Sequence, residues 1–521
     1  MFVYLNPTNT MKKVLLSLTF AAASLIALAQ PGRYRTEIFT SYDVHRDSIY
    51  AKNYSVLTGT PTLIDLKMDI YLPPASDTLS KRPLIIYLHT GNFLPKYVNQ
   101  SPVGDNRDSA VVEMCKQFAK RGYVVVAPKY RQGWNPQGST MDIRRGTIMQ
   151  ATYRGIQDAK AAIRYMRKYA TEFKVDTGRI VLGGQGTGCY ISLAAATLDR
   201  INETRYPKFI NTTTSQPYID TAVLGDIDGI LPAAINNPNN VGYSSKFHAE
   251  FSLGGAMGDI DWMETGEMPM IGFHVSTDPF APDTSGMTIV PVLNLPIIPV
   301  DGNRNIIRKA NQLGNNNVFK NAGYNDPYTL AANINNEGWE GYYRFHVAPG
   351  GPQSAPWDWW DSATVVAVGA PTLMAFNPSL TLPQAQAAAA GYHANSLLTN
   401  QMMSRTKAIA YIDTVQNYLA PRLMTALKLP GSGQWLGAPI SNFAGGVNLF
   451  PNPAGNQFNI YADAGINEIE IFDLTGRSVY SSTFAVATES INLSREGLKN
   501  GVYFVKVGTT SGQTTLKLIL N

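Results

Sequence analysis

The residues with the clearest chemical signature run from Arg179 to Cys189 and read R-I-V-L-G-G-Q-G-T-G-C. The apolar run Ile180-Val181-Leu182 breaks into four glycines within six residues and resumes as a helix-like segment from Ile191 to Leu198. This is the strand, tight turn and helix of a nucleophile elbow, in which the turn lifts one side chain above the edge of a sheet. In the pattern G-x-S-x-G the third residue is the serine. Here the five residues are Gly184, Gln185, Gly186, Thr187 and Gly188, so the reactive position falls on Gly186 and carries no side chain. The turn is present without the nucleophile.

An elbow of this kind needs a parallel sheet beneath it, and the flanking sequence supplies the strands. Leu66, Met68, Ile70 and Leu72 alternate as in a strand near a sheet edge, whereas Leu84 to Leu88 is continuously apolar, as in a strand buried on both faces. A helix is expected over 110–120, a second buried strand over 123–127, and a long helix over 153–170, where Ile156, Ala159, Ile163, Met166 and Ala170 recur at helical spacing. Alternation of strand and helix points to an α/β fold with helices on both faces of the sheet.

The segments MDIYLPP, PLIIYLHTGNF, GYVVVAPKYR, DAKAAIRYMRKYA and RIVLGGQGTG, in that order, resemble the α/β-hydrolase fold, in particular its carboxylesterase and feruloyl-esterase-like branch. The resemblance covers roughly 66–278 and, more loosely, onward to about 429. It implies a doubly wound, mostly parallel sheet and a site made of a serine, a histidine base, an acid that orients the histidine, and backbone amides for the oxyanion. Asp278, in the segment S-T-D-P-F-A-P after the apolar strand 268–275, falls on the acid position. The base position falls in the loop 349–357, where similar loops read like P-G-x-G-H-x-P-W, and lands on Gln353. No histidine occurs between His346 and His393. His346 precedes the loop by three residues and reaches the site only if the strand 342–347 ends early. His274 reads as a packed strand residue, and His393 lies in an alanine-rich helical region. His89-Thr90-Gly91 stands where H-G-G is usual, which leaves the backbone N–H groups of Thr90, Gly91 and Thr187 to point into the pocket.

Loss of one triad member costs several orders of magnitude in rate. The expectation is therefore an exported protein resembling carboxylic-ester hydrolases that serves as a non-catalytic surface or ligand-binding protein, its ligand a small ester, a carboxylate or a glycan. The alternative is an active ester hydrolase with an unrecognised nucleophile or base, and a third reading is a structural surface component without a ligand. Ser276 and Ser354 flank the site but need a base, and Cys189 should point into packing along the following helix. Trp357, Trp359 and Trp360 suit either a core or a platform for a sugar or aromatic ligand. Asp226-x-Asp228-Gly229 and Asp259-x-Asp261 begin like calcium loops but do not continue with the required ligands. No metal site or cofactor is implied. A Pro- and Asn-rich excursion over 283–340 is long enough to form a lid, and 383–427 is helical by composition, with Ile409, Ile412, Val415 and Leu419 as its stripe.

The chain has 521 residues, 44% apolar and 16% charged, with a net charge of +5 spread thinly, and no dense basic tract that would mark a nucleic-acid partner. Lys12 and Lys13 precede an apolar run over 14–28, and Ala27-Leu28-Ala29 offers a cleavage site, so 1–29 reads as a signal peptide with Met11 as its natural start. Cys115 and Cys189 are the only cysteines; they could pair after export, but their places on two different predicted helices favour two buried thiols. The hydrolase-like domain is expected over 30–435 and a linker over 436–445. Over 446–521 the texture changes to short strands and turns, the signature of a small β-sandwich. Pro451-Asn452-Pro453, Asp473-Leu474-Thr475-Gly476-Arg477, Leu498-x-x-Gly501-Val502-Tyr503 and a last strand with Lys517 closely resemble the C-terminal sorting domain of type IX secretion cargo in Bacteroidetes. That resemblance implies the type IX machinery as partner, and export to the periplasm and then to the outer-membrane surface or the exterior.

Overall fold

Continuous apolar runs become the centre of an eight-stranded sheet in the computed structural model of the protein. The strands are β1 (Asp43–Ser55), β2 (Thr62–Leu72), β3 (Arg82–Leu88), β4 (Val124–Pro128), β5 (Val175–Gln185), β6 (Ala249–Leu253), β8 (Met270–Val275) and β11 (Tyr342–Phe345), in the spatial order β1-β2-β4-β3-β5-β6-β8-β11. β3, β4 and β6 are buried along their whole length. β1 and β2 pair antiparallel, as do β2 and β4, and every other neighbouring pair is parallel. The described residues are 32–290, 295–347, 350–432, 447–452, 454–473, 477–495, 497–510 and 512–520. The signal-peptide reading at 1–29 and the linker reading at 436–445 lie outside them. Among the described residues no helix is long and apolar enough to cross a membrane.

Two compact units divide the chain, Met1–Trp435 and Leu436–Asn521. In the first, helices cover both sheet faces. Helix α1 (Ser109–Arg121) buries Val111, Met114 and Phe118 and ends on Gly122, whose φ of 103° closes the helix in the left-handed region. Helix α2 (Met141–Lys168) starts twelve residues before the expected start at 153, because the Thr140 hydroxyl caps it by accepting from Ile143 N–H at 3.2 Å. Helix α3 (Thr187–Thr197) begins directly after the elbow glycine, four residues earlier than the apolar run suggests.

The excursion after Asp283 is folded. It holds a hairpin of β9 (Ser285–Val290) and β10 (Leu295–Gly302), which pairs with the short β7 (Ala256–Met257), then helix α4 (Asn303–Gln312), with Ile306 and Ile307 buried, and helix α5 (Pro327–Asn333). After β11 come α6 (Ser362–Phe376), α7 (Leu382–Leu397) and α8 (Arg405–Ala426), so the helical region contains a break the composition hides. Ile412, Val415 and Leu419 of α8 are buried with α1 against the sheet. Cys115 and Cys189 are both free and buried.

The second unit is an antiparallel sheet of β12 (Val447–Phe450), β13 (Gln457–Phe472), β14 (Ser478–Ser494), β15 (Gly501–Thr509) and β16 (Gly512–Leu520). β13 pairs with β12 through its first half and with β15 through its second, with a register shift after Tyr461. Phe458, Ile460, Ile469, Ile471, Val505 and Leu518 form its core. The landmark residues have local work. Asn452 Nδ2 donates to the Lys517 carbonyl at 2.6 Å while its Oδ1 accepts from Ile519 N–H at 2.9 Å, and Arg477 Nε pairs with Asp473 at 3.0 Å. Pro453 and 474–476 lie outside the described residues.

The elbow depends on a close crossing. A methyl group at Gly188 would overlap the Leu88 carbonyl oxygen and lie 2.7 Å from its carbon. Gly188→Ala is expected to destabilise the large unit by about 2 kcal/mol, read as a lowered urea midpoint by tryptophan fluorescence.

Candidate functional site

The parallel strands β3, β5, β6 and β8 all present their C-terminal ends on one sheet edge, where open α/β sheets bind ligands. A cavity of about 480 Å³ opens there, lined by Thr90 and Gly91 after β3, Gly186 and Thr187 after β5, Gly254 after β6, and Asp278 after β8. Gly186 sits between β5 and α3 with φ 53° and ψ −120°, a conformation that glycine enters without cost. Its N–H donates to the Leu253 carbonyl at 2.9 Å. Thr187 and Gly188 open α3, so their N–H groups have no partner within the helix.

Thr90 decides the shape of this corner. A Cβ built on Gly186 would overlap Thr90 Oγ1 and lie 2.8 Å from Thr90 Cβ. The threonine therefore fills the space into which a side chain at the elbow would project. Tyr130 holds the corner from below: its hydroxyl lies 2.9 Å from the His89 carbonyl, to which it donates, and 3.2 Å from Thr187 Oγ1. The Tyr130 ring stacks on His89 at 4.5 Å. His89 is buried, which lowers its pKa, and its Nδ1 contacts the Thr90 carbonyl.

Asp278 is half-buried, with Oδ1 accepting from Phe280 N–H at 2.8 Å and Ala281 N–H at 3.3 Å. Burial raises its pKa to about 6 against the pull of His274 and those two bonds. His274 itself is packed, its Nε2 3.0 Å from the Ala281 carbonyl. Gln353 is fully buried beside the acid loop, its N–H donating to the Thr277 carbonyl at 3.3 Å and its Oε1 3.4 Å from Lys407 Nζ. Gln353 does not line the cavity. β11 does end early, at Phe345, yet His346 is exposed and is not among the residues that line the cavity, with Nδ1 3.2 Å from Ser276 Oγ. Cys189 is sealed in the core: its thiol donates to the Gly184 carbonyl at 3.0 Å, accepts from Leu253 N–H at 3.0 Å, and burial pushes its pKa well up.

One residue escaped the sequence reading. Asp358 is 4% exposed, lines the cavity, and accepts from Gln185 Nε2 at 3.1 Å, while Gln185 Oε1 accepts from the Tyr87 hydroxyl at 2.9 Å. Burial raises its pKa to about 7. An acid embedded among three tryptophans was the available signal. Trp357 and Trp360 line the cavity, while Trp359 packs at the margin of the core. The β9–β10 hairpin contributes Thr288, Ile289, Ile297 and Ile298 to the wall. Asp226 and Asp259 are engaged in their own turns, accepting from Leu231 N–H at 2.7 Å and Asp261 N–H at 2.9 Å.

Residues 68–280 match the family profile described as BD-FAE, and 448–521 match the one described as Secretion system C-terminal sorting domain. The large unit has an esterase-type α/β-hydrolase fold, and the small one is a sorting domain. Among solved structures, esterase 2 of Thermogutta terrifontis phosphorylated by paraoxon is 21% identical over 47% of this chain and 74% of its own, with a TM-score of 0.28. The propionate-bound form of that esterase is 21% identical over 42% and 70%, at 0.26, and the apo form 20% identical over 47% and 75%, at 0.27. No curated protein matches the chain. The sorting domain marks the hydrolase-fold chain for type IX secretion to the cell surface or the exterior, and implies contact with that machinery.

Because the Asp358 carboxyl has a folded pKa of about 7 and an unfolded one near 3.9, the native state binds the extra proton between them and loses stability as pH rises through that window. Asp358→Asn removes the slope. Its stability advantage over the natural chain should grow by more than about 1 kcal/mol from pH 4 to pH 8 in parallel thermal melts.

Proposed function

We propose that the exported large domain is a ligand-binding protein whose ester-hydrolysing centre is retired. The observation that carries this reading is the corner at Gly186, where Thr90 occupies the space a nucleophile needs. Gln353, at the position the family resemblance gives to the base, is a neutral amide held by its own contacts. Removing both groups leaves little of the chemistry that a triad supplies. The cavity nevertheless stays open, at about 480 Å³ with mostly apolar walls, which favours retained binding over a purely structural role. Backbone donors at Thr90, Gly91 and Thr187 suit a carbonyl oxygen. Unpaired Asp278 and Asp358 disfavour a free carboxylate, and the apolar walls disfavour a glycan. In this reading 1–29 is a signal peptide, 30–435 the binding domain, 436–445 a linker and 446–521 the export signal of a Bacteroidetes surface protein.

The contact between Ser276 and His346 supports a second reading, an active hydrolase with a displaced nucleophile and base. Neither residue lines the cavity, so this pair lacks the elbow's backbone donors.

The full chain is expected to show no turnover of short p-nitrophenyl esters and no labelling by a fluorophosphonate. Gly186→Ser alone should also stay unlabelled, because Thr90 blocks it, whereas Thr90→Gly, Gly186→Ser and Gln353→His together should gain the label. Turnover by the natural chain that Ser276→Ala abolishes would overturn the retired-site reading in favour of the second.

A further inference from the structure

The cavity has an unusual charge balance. Of its lining residues, the only carboxylates are Asp278 and Asp358, and none is a lysine, arginine or histidine. Neither carboxyl makes an ion pair among the described residues, and each has one oxygen, Oδ2, without a hydrogen bond there. Several buried carboxylates elsewhere are paired, as Asp158 with Arg131 at 2.9 Å, and Glu250, which has no ion pair among the described residues, lies outside the cavity lining with Ser192 as its hydrogen-bond donor. A buried carboxylate without a partner is costly, and the cost falls when a cation arrives.

The two acids bracket an aromatic surface. Asp358 follows Trp357 in sequence, and Asp278 meets Trp357 across Gly254. A methyl placed on Gly254 would lie 3.5 Å and 3.6 Å from Trp357 Cζ2 and Cη2 and 3.7 Å from Asp278 Oδ2. One point beside Gly254 is thus within 4 Å of both the Asp278 carboxylate and the Trp357 six-membered ring, which brings the two side chains together at this end of the cavity. An ammonium group in the cavity beside them gains from the negative charge and from the neighbouring indole. Trp357 is 2% exposed and its Nε1 has no partner among the described residues. Away from this end the walls turn apolar, through Ile148, Ile156, Phe209, Trp262, Ile297 and Ile298.

We propose that the end of the cavity lined by Gly254, Asp278, Trp357 and Asp358 seats the ammonium head of an apolar-bodied amine, with Asp278 and Asp358 as its counter-charges and the Trp357 indole beside it. This rests on the ligand-binding reading of the cavity and names the charge of the ligand. Asp278 is faced by His274, by Tyr190 and by Asp283, the last paired with Arg344 at 2.9 Å. Asp358 is faced by Asp108, itself paired with Lys96 at 2.6 Å. These outer charges are largely spent on one another, so the two cavity acids set the local sign.

The test titrates the full natural chain at pH 8 with decylamine, decanol and decanoate, each below its aggregation concentration, followed by calorimetry and by quenching of the cavity tryptophans. Decylamine should bind roughly tenfold tighter than decanol, and decanoate more weakly than either. Asp278→Asn and Asp358→Asn should each narrow the amine-to-alcohol ratio while decanol affinity stays, which shows that the cavity remains folded. In the natural chain the ratio should also narrow at pH 5, where both carboxyls carry protons and the amine keeps its charge. Equal binding of all three, or a preference for decanoate, would overturn the charge inference and leave the binding reading standing. Binding of none would overturn both.

Discussion

The site depends on how closely the first turn of α3 can approach the ends of β3 and β5. Gly184 and Gly188 face the carbonyls of Leu88 and His89 with no room for a methyl group between them. Interiors packed to this density transmit shape from one segment to the next. The crossing sets where Gly186 turns, where Thr187 starts the helix, and how near Thr90 comes to both. Tyr130 then locks the arrangement by joining the His89 carbonyl to the Thr187 hydroxyl. A sheet with bulkier residues at these two positions would hold its elbow further out and would leave Thr90 nothing to fill.

Electrostatics separates the scaffold from the pocket. Asp77 is buried between Arg33 at 2.6 Å and Arg82 at 2.7 Å, and Asp69 is met by Arg107 at 2.8 Å. In each case burial and a guanidinium arrive together, the usual condition for keeping a carboxylate inside a protein. Glu250, Asp278 and Asp358 lack such a partner among the described residues, and of the three only Asp278 and Asp358 line the cavity at the sheet edge where the loops converge. These two acids therefore lie where apolar walls leave a cavity of about 480 Å³.

Much of the large unit was legible because its elements carry strong periodic signals. Leu84 to Leu88 and Val124 to Ala127 are apolar without interruption, and a strand buried on both faces is the simple outcome. β1 was not read, since its first half is mostly exposed and shows no apolar alternation. The hairpin β9–β10 hid behind prolines and asparagines that suggested a loop, although Ile297, Ile298 and Val300 bury themselves in the core. At the site, the turn and the place of Asp278 after β8 were readable from local pattern. The contact between Thr90 and Gly186 was not, because it joins two loops far apart in sequence, and Asp358 lacked any periodic neighbour to give it away. In the small unit the spacing of landmarks was legible, while the reason for Asn452, a two-sided bond to the last strand, needed the pairing register.

The packing of Thr90 over Gly186 also makes the two positions historically dependent on each other. A side chain gained first at 186 meets an occupied space, and the threonine must shrink before the elbow can grow. A threonine lost first opens a void beside a glycine and gains nothing by itself. Neither single step is favourable, so the pair behaves as a ratchet. A chain that has reached this combination is held there by sterics, whatever selection acts on the pocket above it.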